Sequence, residues 1–345
     1  MTGNSTVESA AFIDDMQALA LIALRDWDLE VARLVPIKVR ENAVFRIDLA
    51  DGGRAVLRVH RGGYHSDAEL HSEFVWMRAL EEAGIPVPRV IRSRHGRDFE
   101  VITTAAMSAA RQIDVFEWID GRQLGSVEGG VSGDAAAIAD QYHMIGAIAA
   151  RMHNQTAGWQ CPAGFRRHAW DAAGLVGEQP FWGRFWDLDA LTPGQQSLLT
   201  RARAKIAREL AAFGTKPDRY GLIHADLVPE NLLVDGHRVQ VIDFDDAGFG
   251  WHLFELATSL YFITGDSIYP IARDALIRGY RTERELPEQA LERLPLFLAA
   301  RGTTYLGWVH TRRDSDTARE LTPFLAERAC AVAEAYLAED FSGEP

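Results

Sequence analysis

His224, Asp226 and Asn231 fall in the order H-x-D-L-x-x-x-N, within His224-Ala225-Asp226-Leu227-Val228-Pro229-Glu230-Asn231, and Asp243 follows in Val241-Ile242-Asp243-Phe244-Asp245-Asp246. These residue types in this order suit phosphoryl transfer. That reaction asks little covalent chemistry of a protein; it needs a carboxylate to orient the attacking hydroxyl and oxygen ligands to hold magnesium against the phosphates. Asp226 supplies the first, and Asn231 and Asp243 the second. Asp245 is a further carboxylate in the same stretch, which either binds the cation or repels phosphate from a wrong position.

The flanking residues predict how these groups are positioned. Leu222-Ile223 is a short apolar run expected to be buried, with the His-Ala-Asp turn projecting Asp226 at its edge. Leu232-Leu233-Val234 and Val239-Gln240-Val241-Ile242 read as two strands joined by a turn at Asp235-Gly236. The hairpin returns Asp243 to the level of Asn231, so that an amide oxygen and a carboxylate can share one hard cation.

Upstream, three strand-like segments are read at Val31 to Val39, Ala43 to Leu49 and Arg54 to His60, with Asp51-Gly52-Gly53 as a hairpin turn between the last two. Ser66 to Ala83 reads as a helix stopped by Gly84 and followed by Pro86 and Pro88. Two more strands are expected near Phe99 to Thr103 and Ile113 to Trp118. An alanine- and leucine-rich helix from about Thr6 to Leu24 precedes this set. Gly125 to Gly133 reads as a flexible loop and Asp134 to Asn154 as a long helix, in which Gly146 suits close packing.

The chain resembles the aminoglycoside phosphotransferase family of kinase-like enzymes, in particular the branch of the bacterial stress response kinase A and homoserine kinase types. The resemblance is most specific from Gly221 to Tyr261 and weaker but continuous from about Val31 to Pro88. It implies an α+β, two-lobed protein-kinase-like fold: a small antiparallel-sheet N-lobe, residues 1–118, that binds nucleotide, and a larger, mainly helical C-lobe, residues 119–345, with the catalytic loop and acceptor site. It also implies ATP as phosphate donor with Mg2+, Asp226 as the catalytic base, and Asn231 and Asp243 as metal ligands.

By the same resemblance Arg58, in Val56-Leu57-Arg58-Val59, stands where a lysine usually contacts the nucleotide phosphates. Glu73 is its expected ion-pair partner, with Glu69 one turn earlier as the rival. Glu117 and Ile119, in Phe116-Glu117-Trp118-Ile119-Asp120-Gly121, take the place of the segment that hydrogen-bonds adenine. There is no G-x-G-x-x-G; the turn between the first two strands is Arg40-Glu41-Asn42-Ala43. Arg58 and the absent glycine triplet motivate an alternative, a noncatalytic nucleotide-binding pseudokinase regulator.

Composition narrows the partners. A formal net charge of -13 argues against nucleic acid, which requires clustered lysine and arginine. It tolerates a cationic or zwitterionic small hydroxyl acceptor, with a protein serine or threonine as the second acceptor class. No apolar run approaches a membrane span and no signal peptide is evident, so a cytoplasmic protein without membrane partners is expected. Cys161 and Cys330 show no metal or redox spacing and read as reduced and structural. Tyr261, Tyr305, Trp308, His310 and Arg301 recur on the C-terminal helices, as acceptor-pocket lining or as helix packing.

Overall fold

A computed structural model describes residues 10–39, 42–104, 109–127 and 129–339. The chain divides into two compact units. One comprises residues 1–81, 87–120 and 163–166, the other 82–86, 121–162 and 167–345.

The first unit contains α1 (Ala10–Ala23), β1 (Val31–Val39), β2 (Ala43–Leu49), β3 (Arg54–Val59), α2 (Asp67–Glu82), β4 (Phe99–Ile102) and β5 (Arg111–Glu117). The strands form one antiparallel sheet in the order β1-β2-β3-β5-β4. Period-two alternation puts Phe45, Ile47, Ala55 and Leu57 in the core together with Leu19, Ala20 and Trp27. Ser66 and Glu69 start α2 with a reciprocal capping box: the Ser66 amide donates to Glu69 Oε2 at 2.8 Å, and the Glu69 amide to Ser66 Oγ at 3.3 Å. Gly84, at φ 74°, follows the end of that helix, where its lack of a Cβ permits the left-handed turn. Arg40 and Glu41 of the β1–β2 turn, and Thr6 to Ser9 of the expected first helix, lie outside the described residues.

The second unit is mainly helical. It begins with short strands β6 (Arg122–Gln123), β7 (Gly125–Ser126) and β8 (Gly130–Val131), then α3 (Ala135–Gly158), β9 (Ala169–Trp170), α4 (Ala172–Val176) and α5 (Pro193–Phe213). The motif region follows as β10 (Tyr220–Ile223), β11 (Leu232–Asp235), β12 (Arg238–Val241) and β13 (Gly248–Trp251), and the chain continues with α6 (His252–Tyr261), α7 (Tyr269–Glu283), α8 (Glu288–Leu291), α9 (Leu294–Thr311) and α10 (Asp316–Ala338). Helices α3 and α7 meet at two glycines. A Cβ on Gly146 would stand 2.0 Å from the Leu276 carbonyl oxygen, and one on Gly279 would stand 1.8 Å from that of His143. Only hydrogen fits at either place.

Three local expectations change. Gly125 to Gly133 includes the β7–β8 hairpin, not only a loop, and Gly125 is required because a Cβ there would lie 2.1 Å from the Gly130 carbonyl oxygen. In the β11–β12 hairpin Asp235 pairs with Arg238, so the two turn residues are Gly236 and His237, with Gly236 at φ 55°. Glycine at the first turn position matches the right-handed strand twist. Cys161, read as structural, is exposed, whereas Cys330 is buried.

Candidate active site

Strand β10 is buried at Leu222 and Ile223 and delivers the chain into the H-x-D turn. The turn is held by Glu255 of α6, which has no exposed surface: its Oε1 accepts the His224 amide at 2.8 Å and its Oε2 the Ala225 amide at 2.7 Å. Burial raises the Glu255 carboxyl above its ordinary range, against the pull of His224 and the two amide bonds. Ala225 sits at φ 64° and Asp243 at φ 65°, a left-handed conformation that L-residues rarely adopt. Both strained residues adjoin or belong to the motif.

His224 orders the loop. Its Nδ1 accepts the Asp226 amide at 3.2 Å and its Nε2 donates to the Ile242 carbonyl at 3.1 Å, which defines the neutral tautomer. Burial pushes its pKa down to about 4, so it carries no charge near neutrality.

The Asp226 carboxylate is gripped at both oxygens. Arg301 Nη2 of α9 donates to Oδ1 at 2.7 Å, and Asn231 Nδ2 donates to Oδ2 at 2.7 Å and to the Asp226 carbonyl at 3.0 Å. These acceptors fix the orientation of the Asn231 amide and leave its Oδ1 as the atom a hard cation would take. The Ile242 amide donates to the Asn231 carbonyl at 3.0 Å, so Asp243 directly follows the residue paired to Asn231. Asp243 is exposed, whereas Asp245 is buried. Arg167 clamps the segment beyond from its main chain, with Nε donating to the Ala247 carbonyl and Nη2 to that of Asp245.

Among the described residues no group of three or more His, Cys, Asp or Glu is arranged to hold a metal ion. One amide oxygen and one carboxylate fit Mg2+ all the same, because that ion commonly takes one or two carboxylates and completes its shell with substrate phosphate and water.

In the first unit, β3 and α2 bring Arg58 and Glu73 together, with Nη2 to Oε1 at 2.8 Å. Glu69 is occupied instead by the capping box. Sequence spacing did not reveal Asp114 on β5, which accepts from Arg58 Nε at 3.2 Å and Nη2 at 2.9 Å and meets His60 Nε2 at 2.6 Å. Burial alone would raise the Asp114 carboxyl, but the charges of Arg58 and His60 hold it below the usual range. Glu117 ends β5, where its amide donates to the Arg89 carbonyl at 2.8 Å. Ile119 is half-buried beyond the strand.

Tyr261 and Tyr305 are buried, whereas Trp308 and His310 are half-buried. Tyr305 packs on the Arg301 guanidinium, 4.3 Å from its ring centroid.

A two-lobed kinase-like fold with this loop defines a phosphotransferase, and residues 33–296 match the Phosphotransferase enzyme family. The chain belongs to that family. It is similar to a microcompartment-associated aminopropanol kinase of known structure, with 34% identity, a TM-score of 0.82, and coverage of 94% of this chain and 98% of the other. It is also similar to the amicoumacin kinase of Bacillus subtilis, 24% identical over 81% of this chain and 80% of that protein, and to a homoserine kinase of Pseudomonas aeruginosa, 26% identical over 75% and 74%. The protein is thus a member of a family of small-molecule kinases. No helix among the described residues is long and apolar enough to cross a membrane.

Proposed function

We propose that the protein transfers the terminal phosphate of ATP, with Mg2+, to the hydroxyl of a small amine-bearing alcohol. The observation that carries this reading is the Asp226 carboxylate, held through Oδ1 by Arg301 and through Oδ2 by Asn231. Each oxygen keeps lone-pair capacity for the proton of an acceptor hydroxyl. As that oxygen bonds to the terminal phosphorus, Asp226 takes the proton and the bond from phosphorus to the bridging oxygen breaks, with ADP as the leaving group. Asn231 Oδ1 and the Asp243 carboxylate would hold Mg2+, which when bound neutralises charge on the phosphates. Asp245 is a buried carboxylate of the same segment, reserved for support of that cation.

Arg58, paired to Glu73 as the usual lysine would be, is assigned to the nucleotide phosphates; its planar fork keeps a full charge. The Glu117 carbonyl and the Ile119 amide are assigned to adenine. The acceptor class is supported by the relatives: aminopropanol and homoserine each join a hydroxyl to an amine. None of the relatives above is named for a protein acceptor, and the protein-directed alternative is not carried forward.

The test is ATP consumption by purified protein with Mg2+ against 1-amino-2-propanol, ethanolamine, homoserine, choline and an aminoglycoside, with Asp226→Asn beside it. Turnover with an amino alcohol, reduced by about 10²-fold or more in the variant, is expected. Turnover that survives in Asp226→Asn would require a different base. ATP binding with no turnover on any acceptor would favour the regulator reading.

A further inference from the structure

Arg301 is a cation with no exposed surface. Its guanidinium lies over three rings, with centroid distances of 4.3 Å to Tyr305, 5.0 Å to Trp182 and 5.6 Å to Phe254. Only Nη2 is hydrogen-bonded, to Asp226 Oδ1 at 2.7 Å and to the Tyr305 hydroxyl at 2.7 Å. Among the described residues neither Nε nor Nη1 meets a hydrogen-bond acceptor. Burial works against the charge, but Tyr305 and Asp226 outweigh it and keep the guanidinium ionised.

As a stability device this is a poor choice. A buried ion pair is often matched or bettered by well-packed apolar side chains, and the surrounding rings could close on a methionine. What an apolar residue could not provide is a fixed donor on Oδ1. A terminal carboxylate torsion has a broad, roughly two-fold profile, so an aspartate held at one oxygen alone can swing. With Asn231 on Oδ2 and Arg301 on Oδ1, the plane of the Asp226 carboxylate is set. The cage then sets Arg301. Rings limit the guanidinium in three directions, and the Tyr305 hydroxyl takes the second Nη2 hydrogen, so the fork cannot turn away.

We propose that Arg301 is a positioning residue for the reaction: it fixes the carboxylate plane of Asp226 so that the outward lone pairs meet the acceptor hydroxyl. The inference rests on the reading of Asp226 as the base. Its effect belongs on kcat, since the nucleotide is assigned to other residues.

The experiment is steady-state kinetics of Arg301→Met, Arg301→Lys and Tyr305→Phe, with Arg301→Met also built into Asp226→Asn, and binding of a fluorescent ADP analogue as control. Arg301→Met is expected to lower kcat by about 10- to 100-fold, the size of effect that misplacing a reactive group produces. The KM for ATP and ADP-analogue binding should stay within about twofold. Arg301→Lys, which keeps the charge but not the fork, should recover part of the loss. In the Asp226→Asn background Arg301→Met should change residual turnover by less than about twofold, because a residue that acts through the carboxylate has nothing left to act through.

A folded Arg301→Met with wild-type kcat overturns the inference, as do equal fold-losses in the two backgrounds, which mark a purely structural role. Should Arg301→Met not fold, wild-type kcat in both Arg301→Lys and Tyr305→Phe overturns it. Wild-type turnover in Asp226→Asn sinks the base assignment itself; an Asp226→Asn reduced by about 10²-fold or more beside an Arg301→Met of wild-type kcat sinks only the role given to Arg301.

Discussion

Replacing Glu255 by alanine removes the side chain that accepts the His224 and Ala225 amides of the H-x-D turn. Each buried amide left without an acceptor costs about 1–3 kcal/mol, so the two together cost about 2–6 kcal/mol before relaxation, less what is regained by no longer burying a carboxylate. The catalytic effect is separate. Ala225 is held at φ 64° by the Oε2 bond, and a left-handed L-residue is disfavoured by about 1–2 kcal/mol. Once released, the turn should relax, leaving about one molecule in 6 to one in 30 in the native arrangement and lowering kcat by about 5- to 30-fold. Urea denaturation reads the first quantity and ATP turnover under saturating substrates the second. Adding Ala225→Gly to Glu255→Ala should recover part of kcat, since glycine takes positive φ at no steric cost. A folded Glu255→Ala with kcat within about twofold of the parent protein would refute the reasoning, because the turn would then not depend on its carboxylate.

Gly146→Ala and Gly279→Ala each place a methyl within 2.0 Å of a backbone carbonyl that no rotamer can clear, and each should lower the unfolding free energy by about 1–3 kcal/mol or more in urea titrations; a change under about 0.5 kcal/mol would show that α3 and α7 do not meet this closely. Burial depresses His224 to about 4 and His153 to about 3. A histidine depressed in the fold stabilises fully above its unfolded pKa near 6.5, and that contribution is lost as pH falls toward the folded value. The urea midpoint should therefore drop between pH 7 and pH 5, and drop less in His153→Phe. An equal drop would remove His153 from the account.

The elements that could be read from the sequence were those whose signals are local. Strands β2 and β3 carry period-two alternation at Phe45, Ile47, Ala55 and Leu57, α2 has its capping pair and terminal glycine, and the motif residues carry their spacing on one loop and one hairpin. What escaped depends on distant pairing. Asp114 is 56 residues from Arg58, and Arg301 is 75 residues from Asp226, so no spacing rule joins them. A usable signal did exist: each is a charge beside apolar residues, Asp114 between Ile113 and Val115, and Arg301 directly after Leu296-Phe297-Leu298-Ala299-Ala300. A charge so placed is buried and must be paired. The left-handed backbone at Ala225 has no counterpart in residue type, since alanine does not favour it; its cause is the Glu255 carboxylate. Glycines misled once, at Gly125, where they permit close approach of two strands instead of mobility.

Two of the supports of the loop lie well downstream of it. Every motif residue has been synthesised by position 243, yet the carboxylate that accepts the turn's amides is residue 255, and the guanidinium paired with Asp226 is residue 301. A ribosome translating this chain thus carries a complete set of chemically competent side chains with no organised site. The nascent protein is expected to stay catalytically silent until α6 and α9 have emerged and packed. Latency during synthesis is a by-product of where the scaffold places its anchors, and a chain cut after the hairpin would inherit the motif without the activity.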